Sequence, residues 1–143
     1  MKKIFVFGNK DLKEDNLPLK ILSQLQKKFP DIEFAIKDPN EEWDTIDEND
    51  AVFCTENLKD LIVLDTVMGI KRVKVFDDLK IFTRAPRVGM HDFDALTNLL
   101  FLQKLGRINV VKVVGVPPNL SESEALKQIG EILHHIKKAK GHL

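Results

Sequence analysis

Three stretches of this chain carry side chains suited to holding a divalent cation or moving a proton. Asp11, Glu14 and Asp15 follow the first apolar run, Asp65 closes the run Leu61-Ile62-Val63-Leu64, and His91 comes after Arg84, Arg87 and Gly89. Two carboxylates and one imidazole make a ligand set for a divalent metal. The same groups equally make an acid–base set in which one carboxylate orients the imidazole. Taken singly, Asp15 reads as the cap of a helix starting near Leu17, and His91 as a helix-start residue. Asp65 is harder to read as structural, because a carboxylate ending a wholly apolar strand is partly desolvated.

The elements that would position these groups follow from the hydrophobic pattern. Ile4 to Phe7 is a short apolar run closed by Gly8-Asn9, which predicts a buried strand and a turn. Leu17, Ile21, Leu22, Leu25 and Phe29 recur at helical spacing and form one apolar face, stopped by Pro30. Ile32 to Ile36 alternates and predicts a strand near an edge. Ala51 to Thr55 predicts a short strand, and Leu61 to Leu64 a central one covered on both faces. Val73 to Phe76 predicts another, extended or followed by Lys80 to Thr83. Asp92 to Leu105 reads as a helix with Phe93, Leu96, Leu99, Leu100 and Leu102 apolar and Asp92 at its start. Asn109 to Val116 predicts the last buried strand, stopped by Pro117-Pro118. Ser121 and Glu124 have capping-box spacing before a helix lined by Ala125, Leu126, Ile129, Ile132, Leu133 and Ile136.

Strands thus alternate with helices along the whole chain. The expected fold is one α/β domain over residues 1–143, a three-layer sandwich whose mostly parallel twisted sheet is covered by helices on both faces. In such a sheet, ligands bind beyond the carboxyl ends of the strands. Asp15, Asp65 and His91 would all reach that rim, and this convergence gives them a shared functional reading.

Composition excludes several other classes. Lys and Arg number 22, matched by 22 Asp and Glu, so the formal net charge is zero. Nucleic acid and anionic membranes both call for a basic excess, so neither is an expected partner. Cys54 is the single cysteine; it permits no internal disulfide, fits a reducing compartment, and reads as a small buried hydrophobe rather than a nucleophile. The longest purely apolar stretches, such as Leu61 to Leu64, fall far short of the roughly 18 residues a spanning helix needs. Met1-Lys2-Lys3-Ile4 leads straight into a strand-like run without the apolar core of a signal peptide. The expectation is a soluble, cytoplasmic, monomeric protein, mature as written. Gly8-Asn9 lacks the partner glycines of a dinucleotide or phosphate loop. His134 and His135 read as surface residues, His142 as part of a frayed tail, and Lys137, Lys138 and Lys140 as suited to a helix C-terminus. Residues 41–50 carry six carboxylates and Trp43, the pattern of a solvated acidic loop or short helix with Trp43 tucked inward, or else of a binding face for a basic partner.

The order VFGN, a carboxylate pair before a helix, LIVLDTV, MHDF opening a helix, and VVGVPP resembles the hydrogenase maturation endopeptidases. The resemblance runs from Ile4 to about Pro118 and implies a single hydrogenase-maturation-protease-like domain across residues 1–143. In that family an acidic residue after the first strand, an Asp ending a central strand and a His before a helix sense nickel. On this chain they fall on Asp15, Asp65 and His91, which the resemblance makes both the metal ligands and the catalytic residues. It implies an endopeptidase that removes the C-terminal extension of a nickel–iron hydrogenase large-subunit precursor after nickel insertion. The partner is then that precursor, and nickel arrives with the substrate while the resting enzyme is metal-free. Arg84 and Arg87 are candidates for holding carboxylates of the substrate tail.

The chain departs from the family pattern at several points. Asp11 stands where a Leu is usual, Pro18 where a Gly is usual, and Glu14 where the first carboxylate is usually Asp. The family's Asp-Gly-Gly-Thr stretch appears as Asp38-Pro39-Asn40, and Pro39 fixes a φ angle in it. A catalytically silent member that only binds a precursor is one alternative. A receiver-type phosphoacceptor domain is another, but Val114-Gly115-Val116-Pro117 offers no Lys for a phosphoryl group, and Glu14 and Asp15 lie well beyond Phe7.

Overall fold

A computed structural model of the chain describes residues 2–7, 17–36, 53–55, 58–81, 97, 99–101, 103–106 and 110–140. It contains strands β1 (Lys2–Val6), β2 (Ile32–Ile36), β3 (Phe53–Thr55), β4 (Leu58–Thr66), β5 (Lys74–Phe76) and β6 (Val111–Val116). Helices α1 (Leu17–Lys20) and α2 (Leu22–Lys28) follow β1, and α3 (Glu122–Lys140) ends the described chain. The strands run in the order β2-β1-β4-β6-β5. β2, β1, β4 and β6 are parallel, while β5 lies antiparallel on β6 and β3 antiparallel on the start of β4. The chain is therefore α/β with a mostly parallel sheet, as the alternation of patterns predicts.

Each strand sits where its composition suits it. β4 from Leu61 to Leu64 is apolar and buried, β6 is apolar along the same paired segment except at Lys112, which pairs with Asp77, and the two occupy the interior of the sheet. β2 alternates and is an edge: Ile32 and Phe34 are buried while Glu33 and Ile36 are exposed. Successive side chains point to opposite faces, so the sheet separates two clusters. On the first face, Ile4, Val6, Ile62, Leu64, Val114 and Val116 pack against Leu17, Ile21 and Leu25, and against Ala125, Ile129 and Leu133 of α3. On the second, Phe5, Phe7, Leu61, Val63, Val111 and Val113 pack with Val67, Phe76, Leu79 and Leu99.

The apolar face read over Leu17 to Phe29 is present but is shared by two helices. Ile21 stands between them at φ −96° and ψ 3°, yet its N–H still donates to Leu17 O (3.3 Å) and its carbonyl accepts from Leu25 N–H (3.0 Å). Gln26 ties α2 to the edge strand by donating to Ile32 O (2.6 Å) and accepting from Phe34 N–H (3.2 Å). At the other end, Ser121 Oγ accepts the Glu124 N–H (3.2 Å), the cap the sequence indicates. Glu124 does not complete the box; its carboxylate accepts from Gln128 Nε2 (2.9 Å). Gln128 Oε1 in turn accepts the Val73 N–H (2.8 Å) and so anchors the approach to β5.

Two expectations change. The strand expected at Lys80–Thr83 is absent where it is described: Leu79 and Lys80 form a turn and Ile81 is helical. Asp78 explains it, because its Oδ1 captures the Lys80 N–H (2.9 Å) that a strand would need. β4 also runs past Leu64, carrying Asp65 and Thr66 into the ladder opposite Gly115 and Val116. The helix expected over Asp92–Leu105 is seen at 97, 99–101 and 103–104, and its start lies outside the described residues. Among the described residues, no helix is long and apolar enough to cross a membrane.

Candidate functional site

The order of strands fixes where a ligand crevice can form. From β1 the chain turns to β2 on one side, and the next strand to join β1, β4, lies on the other. The carboxyl ends of β1 and β4 therefore flank a topological switch point, the place where open α/β sheets bind ligands. Asp65 is the next-to-last residue of β4 and lies at that end.

Asp65 is wholly buried, and with Thr66 it forms the buried polar pair among the described residues. Its strand-mates on the same face are Leu61 and Val63, with Val67 beyond them, so the carboxylate stands where the pattern would otherwise place another aliphatic group. Phe7 borders it from β1, where the Phe7 N–H donates to Leu64 O (2.9 Å). Gly115 lies opposite it on β6. The carboxylate is held locally, since Oδ1 accepts the N–H of Thr66 (2.8 Å). Burial is costly for a charged group, and Asp65 is buried completely.

Thr66 faces the other way, toward the first cluster, and is 2% exposed. Its Oγ1 has no hydrogen-bond partner among the described residues. Sequence reasoning did not single it out; the available signal was a hydroxyl following Asp65 in a segment otherwise apolar.

Of the three residues expected to act together, the structure describes Asp65. Asp15 and His91 lie outside the described residues, as do Asp11, Glu14, Arg84, Arg87, Gly89, Trp43, His142 and the Asp38-Pro39-Asn40 stretch. Among the described residues, no group of three or more His, Cys, Asp or Glu could hold a metal ion. His134 and His135 are exposed on α3, as expected of surface residues. Cys54 belongs to β3, paired with Lys59.

Gly115 is the second residue that sequence reasoning passed over. A Cβ built there would come within 2.8 Å of both Phe76 Cε2 and Val67 Cγ2. Its signal was a glycine inside a run of valines, which marks a close approach of neighbouring groups. No family model matches the chain, and no curated protein or solved structure matches it either.

Proposed function

We propose that this chain is an endopeptidase that removes the C-terminal extension of a nickel–iron hydrogenase large-subunit precursor after nickel insertion. The observation that carries the reading is Asp65: a fully buried carboxylate ending the central parallel strand at the switch point of the sheet. That is where the resemblance requires its metal-sensing Asp, and where a carboxylate has a functional reason to accept burial. In this reading the protein is a cytoplasmic monomer, a three-layer sandwich with helices on both faces of the sheet.

Nickel enters as part of the substrate. Asp65, with Asp15 and His91, supplies the oxygen and nitrogen donors that grip it, and the grip sets the scissile peptide against the rim. A carboxylate of this set accepts a proton from the attacking water, whose oxygen bonds to the scissile carbonyl carbon. The proton then passes to the departing amine.

The test is incubation of the purified protein with nickel-loaded precursor, followed by mass spectrometry. Loss of a C-terminal fragment, abolished by Asp65→Asn in a protein of unchanged circular dichroism, supports the proposal. Full cleavage by Asp65→Asn, or its unfolding, counts against it. Binding of the precursor without cleavage by the wild type leaves a silent binder in its place. Crystals soaked in nickel or cadmium give a second test by anomalous scattering. The ion should lie among Asp15, Asp65 and His91 and disappear in His91→Ala; carboxylates too far apart to share one ion would end the proposal.

A further inference from the structure

Gly115 occupies the position opposite Asp65 in the β4–β6 ladder. Glycine weakens a strand interior, through entropy and the missing side chain, so its presence here calls for a reason. The reason is not the backbone angle. The positive-φ glycines of the described chain are Gly69 (82°) and Gly106 (76°), each with open space around it. At Gly115 the constraint is space: a Cβ would lie 2.8 Å from Val67 Cγ2, 3.1 Å from Val67 Cβ and 2.8 Å from Phe76 Cε2.

The two obstacles differ in kind. Phe76 presents the far edge of a ring, which a small rotation moves aside. Val67 presents its Cβ and first branch, atoms set by the backbone and by a stiff χ1. Val67 is fully buried and its N–H is bonded to Val116 O (3.0 Å), so it has no room to turn away. Relief must come from the backbone at Val67, two residues beyond Asp65. Between them lies the Thr66 N–H that Asp65 Oδ1 accepts. Any displacement of Val67 therefore reaches the carboxylate through a single hydrogen-bonded residue.

We infer that Gly115 is a positioning residue for Asp65: its missing side chain lets Val67 close against β6, and this sets the backbone from which Asp65 is presented. The inference builds on the proposed role of Asp65, but its first readout does not depend on that role.

The experiment uses the full chain and three measurements: the carbon-13 resonance of the Asp65 carboxyl, assigned by its loss in Asp65→Asn; titration with nickel ion alone; and urea unfolding. Gly115→Ala should move the resonance and weaken nickel binding roughly tenfold or more, as loss of an outer support does at metal sites. Val111→Ala, on the same face at the far end of β6, should lower stability and leave both other readouts in place. The double variant Val67→Ala/Gly115→Ala should restore both. An unmoved carboxyl resonance in Gly115→Ala, or an equal movement in Val111→Ala, overturns the inference. Should Gly115→Ala not fold, the double variant is compared with Val67→Ala: a shared Asp65 resonance supports the inference and a displaced or unfolded one overturns it. A wild type that leaves the nickel-loaded precursor uncleaved while Gly115→Ala still moves the resonance sinks the proposed function and leaves Gly115 standing. Equal nickel binding and equal resonances in both sink Gly115 alone.

Discussion

The two faces of the sheet come from the same strands but end differently at the carboxyl rim. On the first face, Ile62 and Leu64 of β4 continue a layer shared with Ile4, Val6, Val114 and Val116, and α1, α2 and α3 pack on it. On the second, Leu61 and Val63 are followed by Asp65 and then Val67, so a carboxylate interrupts an aliphatic column at the strand's end. Helix anchoring, with the two glutamine clamps and the Ser121 cap, belongs to the first face. On the proposed reading, α1, α2 and α3 anchor on the first face and the chemistry belongs to the rim of the second. A group placed at the end of a strand can be tuned for function without opening a hole in the packed layer behind it.

Core truncation on the first face should give the largest stability effect. Leu25 and Ile129 are fully buried beneath α2 and α3, so Leu25→Ala or Ile129→Ala should each cost about 2–5 kcal/mol in urea unfolding. A loss under about 1 kcal/mol would show that the layer is loosely packed and would break the contrast. Gln128→Ala comes next, at about 1–3 kcal/mol, because it leaves the part-buried Val73 N–H without its side-chain acceptor. Hydrogen exchange at Val73 is the direct check: protection equal to wild type would mean that Gln128 is no clamp. Ser121→Ala should cost about 1 kcal/mol through the lost acceptor for the Glu124 N–H.

These residues also show what the sequence could and could not reveal. Ser121 and Glu124 announced the start of α3 by spacing alone, because a cap is a local device. The apolar steps of Leu17, Ile21, Leu25 and Phe29 announced a buried face for the same reason. The uniform run Leu61 to Leu64 marked a central strand, and Asp65 after it stood out against that background. What stayed hidden depends on partners distant in sequence. Gln26 and Gln128 look like solvated helix residues until β2 and the approach to β5 are brought beside them. The antiparallel pairing of β5, with Lys74 opposite Gly115, is set by the path of the chain between strands, which hydrophobic periodicity does not encode. Gly115 shows in sequence only as a glycine among valines, since what crowds it is fixed only once Val67 and Phe76 are brought beside it. Lys80–Thr83 misled because Ile81, Phe82 and Thr83 are β-branched or aromatic types that suit a strand, while the Asp78 side chain diverts a hydrogen bond the strand would need.

The smallest stability effect should fall at Asp65, and this is the sharpest test of the contrast. Asp65→Asn keeps the shape of the side chain, and the amide oxygen can still accept the Thr66 N–H. The amide also has a smaller desolvation cost than a carboxylate would have in its charged form. Urea unfolding should therefore place this variant within about 1 kcal/mol of wild type, or above it, while cleavage is lost. Stability given up for a reactive group is the pattern expected where a fold carries a function at that position. A loss of more than about 2 kcal/mol would instead identify the carboxylate as part of the fold's own support, through the charge-dependent hydrogen bonding that its amide counterpart cannot supply. The two faces would then share the burden of stability, and the rim would lose its separate role.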